Sequence, residues 1–275
     1  MASGDGCERS KMERACQPEL SRSEMRISMN KAVMMERETE VSPRTKARIA
    51  GVFYLLEGAT SAFGAIYVVS KLTVTGNAEA TAASVLAHQP LLWWGFAAAL
   101  IAVACHIVYT VLFYELFKPV NRSISLIAAS FSLVAIAIQG CASLFQVAPL
   151  LVLKDGGYLP AFKVEQLHAL VLLFLTLDKQ IFNIYLVFFG FWLVLTGYLI
   201  FRSVFMPRFL GVLVVLSGFS YLTLLSPPLA NYLFPYYLAP DAIGESLLIL
   251  WLLIVGVNDE LWKERASAAQ ASLRT

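Results

Sequence analysis

LLWWGFAAALIAVACHIVYTVLFYELF, Leu91 to Phe117, is a run of 27 residues in which only His106 and Glu115 carry or can take a charge near neutral pH. An α-helix rises ~1.5 Å per residue, so about 20 apolar residues cross the ~30 Å hydrocarbon layer of a bilayer. This run is long enough to cross. Five more apolar runs flank it: Ile49 to about Ser70, Ile124 to about Leu153, Lys179 to Phe201, Phe209 to about Leu225, and Ala242 to Val257. The last two are at the short limit for a span.

Hydrophobic residues make up 58% of the 275-residue chain and charged residues 15%. A soluble domain holds roughly 45–50% apolar and about 25% charged residues. The surplus exceeds what a buried core can take and faces lipid. The expected fold is all-α, a polytopic membrane bundle of six transmembrane helices. The bilayer is its expected partner; ligand and protein partners are not readable. The net charge of +2 comes without a continuous basic patch, which argues against nucleic-acid binding. Cys7, Cys16, Cys105 and Cys141 show no C-x-x-C spacing, and the last two read as small core residues.

Residues 1–48 hold ten Lys/Arg and eight Asp/Glu and read as a disordered cytoplasmic tail. Met34 or Met35 is the expected natural start, which makes 1–33 dispensable. Residues 49–258 are the six-span domain, and 259–275 a short cytoplasmic tail. The first 30 residues hold no run suited to a signal-peptide core, so the first span is expected to direct insertion.

Residues 162–177 are apolar but short, and Asp178-Lys179-Gln180 separates them from the next run. They are either an extra span, or a helix that packs on the bundle or leads into the fourth span. Cytoplasmic loops are enriched in Lys/Arg, and this decides against the extra span. Six spans with the amino terminus inside put seventeen of the 21 basic residues on the inner side. Lys71, Lys154, Lys163 and Lys179 remain outside. A seventh span would carry Arg202, Arg208 and the basic carboxyl terminus outward.

Ser226 to Pro240 holds four prolines and three tyrosines without a basic residue, and is expected in the outer interface. Trp93-Trp94 mark that interface too, and Trp262 the inner one. Gly58/Ala62, Gly95/Ala99 and Ala128/Ser132 stand at four-residue spacing and predict close helix packing. Arg48-x-x-Gly51-Val52 and Arg208-x-x-Gly211-Val212 open two spans alike, each a basic anchor followed by a small packing residue.

Arg48-Ile49-Ala50-Gly51 with Tyr54-Leu55-Leu56, Phe188-Phe189-Gly190, and Gly197-Tyr198-Leu199-Ile200-Phe201-Arg202-Ser203 occur in that order. Pro207-Arg208 with Leu210-Gly211-Val212, Gly244-Glu245, and Trp251-Leu252-Leu253 with Gly256-Val257 follow. In this order the chain resembles bacterial multi-pass membrane proteins of domain-of-unknown-function family 4386, over roughly residues 42–258. The resemblance implies a multi-pass protein of the bacterial cytoplasmic (inner) membrane. It brings no activity, substrate or catalytic residue.

Ionisable groups inside hydrocarbon cost roughly 2.5–3.5 kcal/mol on insertion scales and normally face partners in the bundle. Glu57 in the first span and His106 in the second lie at similar depth on consecutive antiparallel helices. They are the candidate pair for proton relay or cation binding, or else satisfied core groups. Gln139, Gln146, Asp178, Asn183 and Glu245 lie in the outer half and are expected either to line an outward-facing cavity or to supply interfacial polarity and capping. Glu115 reads as a surface ion pair with Lys118. No H-E-x-x-H, phosphate-binding loop or G-x-S-x-G occurs, and the three histidines lack metal-ligand spacing. No catalytic residue, metal site or cofactor is called for. Two functions stay open: binding or moving a small solute, proton or lipid, and a non-catalytic structural or partner-binding role.

Overall fold

The computed structural model describes residues 41–154, 162–236 and 238–272. Helix α1 spans Pro43–Leu72, α2 Ala78–Ala87, α3 Gln89–Phe117, α4 Arg122–Lys154 and α5 Val164–Arg202. Then come α6 (Arg208–Leu222), extended by a 3-10 turn to Leu225, α7 (Pro227–Leu233), α8 (Leu238–Ile254) and α9 (Asp259–Ser272). No strand occurs among the described residues. Five helices, α1, α3, α4, α5 and α6, are long and apolar enough to cross a membrane. A sixth span is completed when α7 and α8, bent 83° apart, count as one. The chain is an all-α polytopic bundle.

Each crossing runs opposite to the one before it, and the polar ends are tied together. The Arg44 backbone N–H donates to Asp259 Oδ1 at 2.7 Å, and Arg48 donates to the Ile254 carbonyl at 3.0 Å. Trp262 Nε1 donates at 2.8 Å to the Leu116 carbonyl, one of the last four of α3 that no helical N–H can reach. These ties and the fixed φ of Pro43 at the first helical position explain why α1 starts six residues before Ile49. Residues 43–48 are therefore helical rather than part of the expected disordered tail. Residues 1–40, with the expected start at Met34 or Met35, lie outside the described residues. At the other terminus, Gly256 at φ +73° donates to the Trp251 carbonyl at 2.8 Å and closes α8. Only glycine adopts that conformation cheaply, which ends the helix before the expected Val257.

Residues 164–177 run without a break into the fourth span, since Asp178 turns inward while Lys179 and Gln180 stay exposed. At 39 residues, ~58 Å, α5 is far longer than the hydrocarbon layer. Its extension builds a second apolar cluster with Ala82 and Val85 of α2. That helix falls between the first two runs; its signal is Asn77, whose side chain accepts from the Ala80 N–H at 2.9 Å.

Glycines set the closest helix approaches. A Cβ on Gly197 would lie 2.7 Å from the Gly211 carbonyl oxygen, and one on Gly218 2.7 Å from that of Gly190. These two contacts, seven residues apart on each helix, clamp α5 to α6. Gly64 meets the Gly95 carbonyl in the same way, joining α1 to α3. Gly51 packs on Leu252, so both R-x-x-G-V openings place their glycine in a helix contact. Gly58 departs from its expected role: it faces outward, with nothing within 4 Å of its Cβ position. Glu115 pairs with Lys46 across to α1 at 2.7 Å rather than with Lys118, whose ammonium lies over the Tyr114 ring.

Candidate functional site

Position along each helix brings the polar groups of the spans to one level. Glu57 lies ~21 Å from the start of α1, and His106 ~16 Å from the end of α3. Glu57 is 3% exposed; its Oε1 accepts from Gln139 Nε2 and from the Tyr185 hydroxyl, each at 3.3 Å. Gln139 Nε2 also donates to Ser61 Oγ at 3.2 Å. One amide of α4 and one phenol of α5 thus hold the carboxyl of α1.

His106 is fully buried and reaches a different partner. Its Nε2 shares a hydrogen bond with Ser132 Oγ at 3.0 Å, and Ser132 shares one with Thr110 Oγ1 at 2.6 Å. Thr110 in turn donates to the His106 carbonyl. The imidazole stacks on Tyr109 at 4.6 Å and 16°. Gln139 stands between the two expected partners, donating to Glu57 and facing His106. No direct hydrogen bond joins Glu57 to His106 among the described residues.

Tyr54, Tyr109, Tyr185, Phe189 and Trp192 wall this cluster, with ring centroids 4.9–6.4 Å from Tyr54 to Tyr109, Trp192 and Phe189. Tyr54 faces Glu245 of α8, which lies against Asp241 one turn earlier, and Asp241 faces Tyr221 of α6. Among the described residues no ion pair joins Glu57, Asp241 or Glu245 to a lysine or arginine. The Tyr54 and Tyr109 hydroxyls, His106 Nδ1, Gln139 Oε1, Asp241 Oδ1 and Glu245 Oε1 are buried without a hydrogen-bond partner.

The other expected residues do other things. Gln146 Nε2 donates at 2.8 Å to the Gly64 carbonyl, inside the π-helical stretch Ala62–Val68 of α1. A π turn displaces the usual i→i+4 bonding, and Gln146 takes up the carbonyl at the Gly64–Gly95 crossing. Asp178 is buried with Oδ2 unpartnered, and Asn183 is half-buried; among the described residues no hydrogen bond links either to Glu57, Gln139 or Tyr185. Sequence reasoning passed over Asp241, Tyr54 and Tyr185. Asp241 and Glu245 at i, i+4, and Tyr54 and Glu57 at i, i+3, were the available signals.

Crossing helices with a polar cluster sealed among aromatic rings define a multi-pass α-helical membrane protein. The family model described as Domain of unknown function (DUF4386) matches residues 49–256, and the chain belongs to that family. No curated protein and no solved structure matches it.

Proposed function

We propose that this membrane protein binds and relays protons through the carboxyls within its spans, buried Glu57 and half-buried Asp241 and Glu245. One observation carries the reading: Glu57 of α1 and the Asp241–Glu245 pair of α8 all lie near Tyr54, and none of the three makes an ion pair with a lysine or arginine among the described residues. Carboxyls inside hydrocarbon need a counter-charge or a proton. No group of three His, Cys, Asp or Glu side chains with metal-holding geometry occurs among the described residues. A carboxyl without a counter-charge in hydrocarbon is neutralised by a proton, so protons are the species we infer these groups exchange.

The linking groups suit that role. Tyr54 and Tyr185 each offer a hydroxyl that gives and accepts a proton, and His106 offers two ring nitrogens. From Asp241 the order runs through Glu245, Tyr54 and Glu57 to His106, Ser132 and Thr110, with bridging water required at the Tyr54 hydroxyl and past the Gln139 amide, which does not itself carry a proton. Thr110 borders a cavity of about 10 Å³, lined also by Tyr114, Ser125 and Thr196, with room for about one water. That cavity continues the string toward the end of the bundle that carries Arg122 and Arg202.

The test is proton influx into vesicles holding the full chain and a trapped pH dye, driven by a potassium diffusion potential. The wild type is expected to exceed empty vesicles, E57Q and E245Q to fall to the empty level, and E115Q to match the wild type. Influx in E57Q equal to the wild type overturns the relay, as does a wild type no faster than empty vesicles. The second reading, a purely structural bundle, is favoured by the tight ring contacts around the cluster, and it predicts those two results. The proposed setting is the bacterial inner membrane with both termini cytoplasmic.

A further inference from the structure

A groove of about 230 Å³ lies on the membrane-facing side of the α5–α6 hairpin, away from the carboxyl cluster. Tyr198 and Phe201 of α5 line it, with Gly211, Val212, Val215 and Leu216 of α6. Gly211 marks the closest approach of the two helices, where a Cβ would lie 2.6 Å from the Phe201 amide nitrogen, and the groove runs along the outer side of that contact, past Phe201 and Val215. Tyr198, Phe201, Val212 and Leu216 are each 42–48% exposed, so the groove opens toward lipid.

Two arginines stand at its mouth. Arg202 is the last residue of α5 and lies four after Tyr198; Arg208 is the first of α6 and lies four before Val212 and eight before Leu216. Residues four apart on a helix share a face, so both arginines continue the stripes that line the groove. The Arg208 guanidinium is 5.9 Å from the Phe201 ring centroid, which fixes it at the rim. Both arginines are exposed, and neither makes an ion pair among the described residues. The first turn of α6 opens at the same place, where backbone N–H groups have no preceding turn to bond.

We propose that this groove seats an anionic phospholipid, with an acyl chain along Gly211, Val212 and Val215 and the phosphate between Arg202 and Arg208. Charge complementarity selects the occupant. An apolar trough that ends in two unpaired guanidinium groups at headgroup level matches a lipid with hydrocarbon below and net negative charge above. The proton-relay reading is independent of it, because no residue is shared.

The test is native mass spectrometry of the full chain in detergent, titrated with equal amounts of phosphatidylglycerol and phosphatidylcholine. The parent is expected to retain phosphatidylglycerol roughly tenfold more strongly, as two surface arginines favour an anionic headgroup. R202Q/R208Q should lower that retention to the phosphatidylcholine level. V212W fills the trough but keeps both arginines, and should lower retention of both lipids. Equal retention of the two lipids by the parent overturns the site without reference to any variant. So does a folded R202Q/R208Q that holds phosphatidylglycerol like the parent, or a V212W that holds it unchanged. Displacement of the lipid by millimolar inorganic phosphate would assign the arginines to free phosphate instead.

Discussion

The carboxyl of Glu57 sits where water cannot compensate it, so its stability rests on the two groups that reach Oε1, one from α4 and one from α5. Glu57→Gln keeps an oxygen in place for the Tyr185 hydroxyl and for the Gln139 amide. It should cost less than roughly 1 kcal/mol of stability, read by thermal unfolding in detergent. Glu57→Leu leaves the Tyr185 hydroxyl buried and unpaired, and should cost about 1–3 kcal/mol. A double-mutant cycle separates the partners. Residues in contact couple by roughly 0.5–3 kcal/mol, so Glu57 and Gln139 should couple within that range. Glu57 and His106, which share no hydrogen bond, should couple more weakly. A larger coupling to His106 than to Gln139 would contradict the arrangement described above. The similar depth of Glu57 and His106 was legible in the sequence because distance along a helix follows from residue count, whereas Gln139, read as part of the outer half, is bonded to Glu57 instead. Their pairing was not legible, because it depends on the rotation of each helix about its axis. An all-apolar run leaves that rotation undetermined.

Among elements, the same substitution should act with opposite sign at two glycines. Gly218→Ala drives a Cβ to 2.7 Å from the Gly190 carbonyl and 2.8 Å from the Val194 amide, both backbone atoms that cannot swing away. Separating α5 from α6 should cost about 1–3 kcal/mol, seen as a lower midpoint in thermal unfolding. Gly58→Ala meets nothing within 4 Å and removes a glycine from a helix interior, so it should be neutral or stabilising by up to roughly 1 kcal/mol. A Gly218→Ala protein as stable as the parent would deny the clamp. Gln146→Leu removes the bond to the Gly64 carbonyl and should cost roughly 1 kcal/mol. Amide protection across Ala62–Val68 should fall with it. Span positions came from run lengths and were legible to within a few residues for α3, α4 and α6. The start of α1 was not, because it is set by the contacts of Arg44 and Arg48 with the carboxyl end. Nor was α2, whose short, weakly apolar sequence folds against an extension of α5 that run length alone did not join to its span. The π-helical stretch left no signal, since it follows from a crossing at Gly64 and Gly95 that only the assembled bundle creates.

For the whole molecule, one arrangement of charge follows from the fold, and it leads to the topology. The start of α1 touches the chain after α8 through Arg44 with Val257 and Asp259, so both ends of the described bundle lie on one face. Lys118, Arg122, Arg202 and Arg208 terminate helices that reach that same face, while Lys71, Lys154 and Lys163 terminate or precede helices at the other. Translocation disfavours Lys/Arg in short loops, so the richer face should be cytoplasmic. The tight turn between Arg202 and Arg208 adds two basic residues to that face, in a short connection that cannot rearrange without unclamping α5 from α6. A periplasm-active reporter fused after Thr275 should therefore stay inactive. Single cysteines at Lys71 and Lys163 should react with a membrane-impermeant reagent added outside intact cells, and one at Arg122 only after lysis. Neutralising the turn alone, as R202Q/R208Q, should leave this pattern intact, because the basic residues at the start of α1 and around Lys118 still hold the face inside. Labelling at Arg122 in intact cells would invert the orientation. Labelling at Lys163 only after lysis, with Lys71 reactive outside, would break the continuity of α5 and with it the six-crossing arrangement.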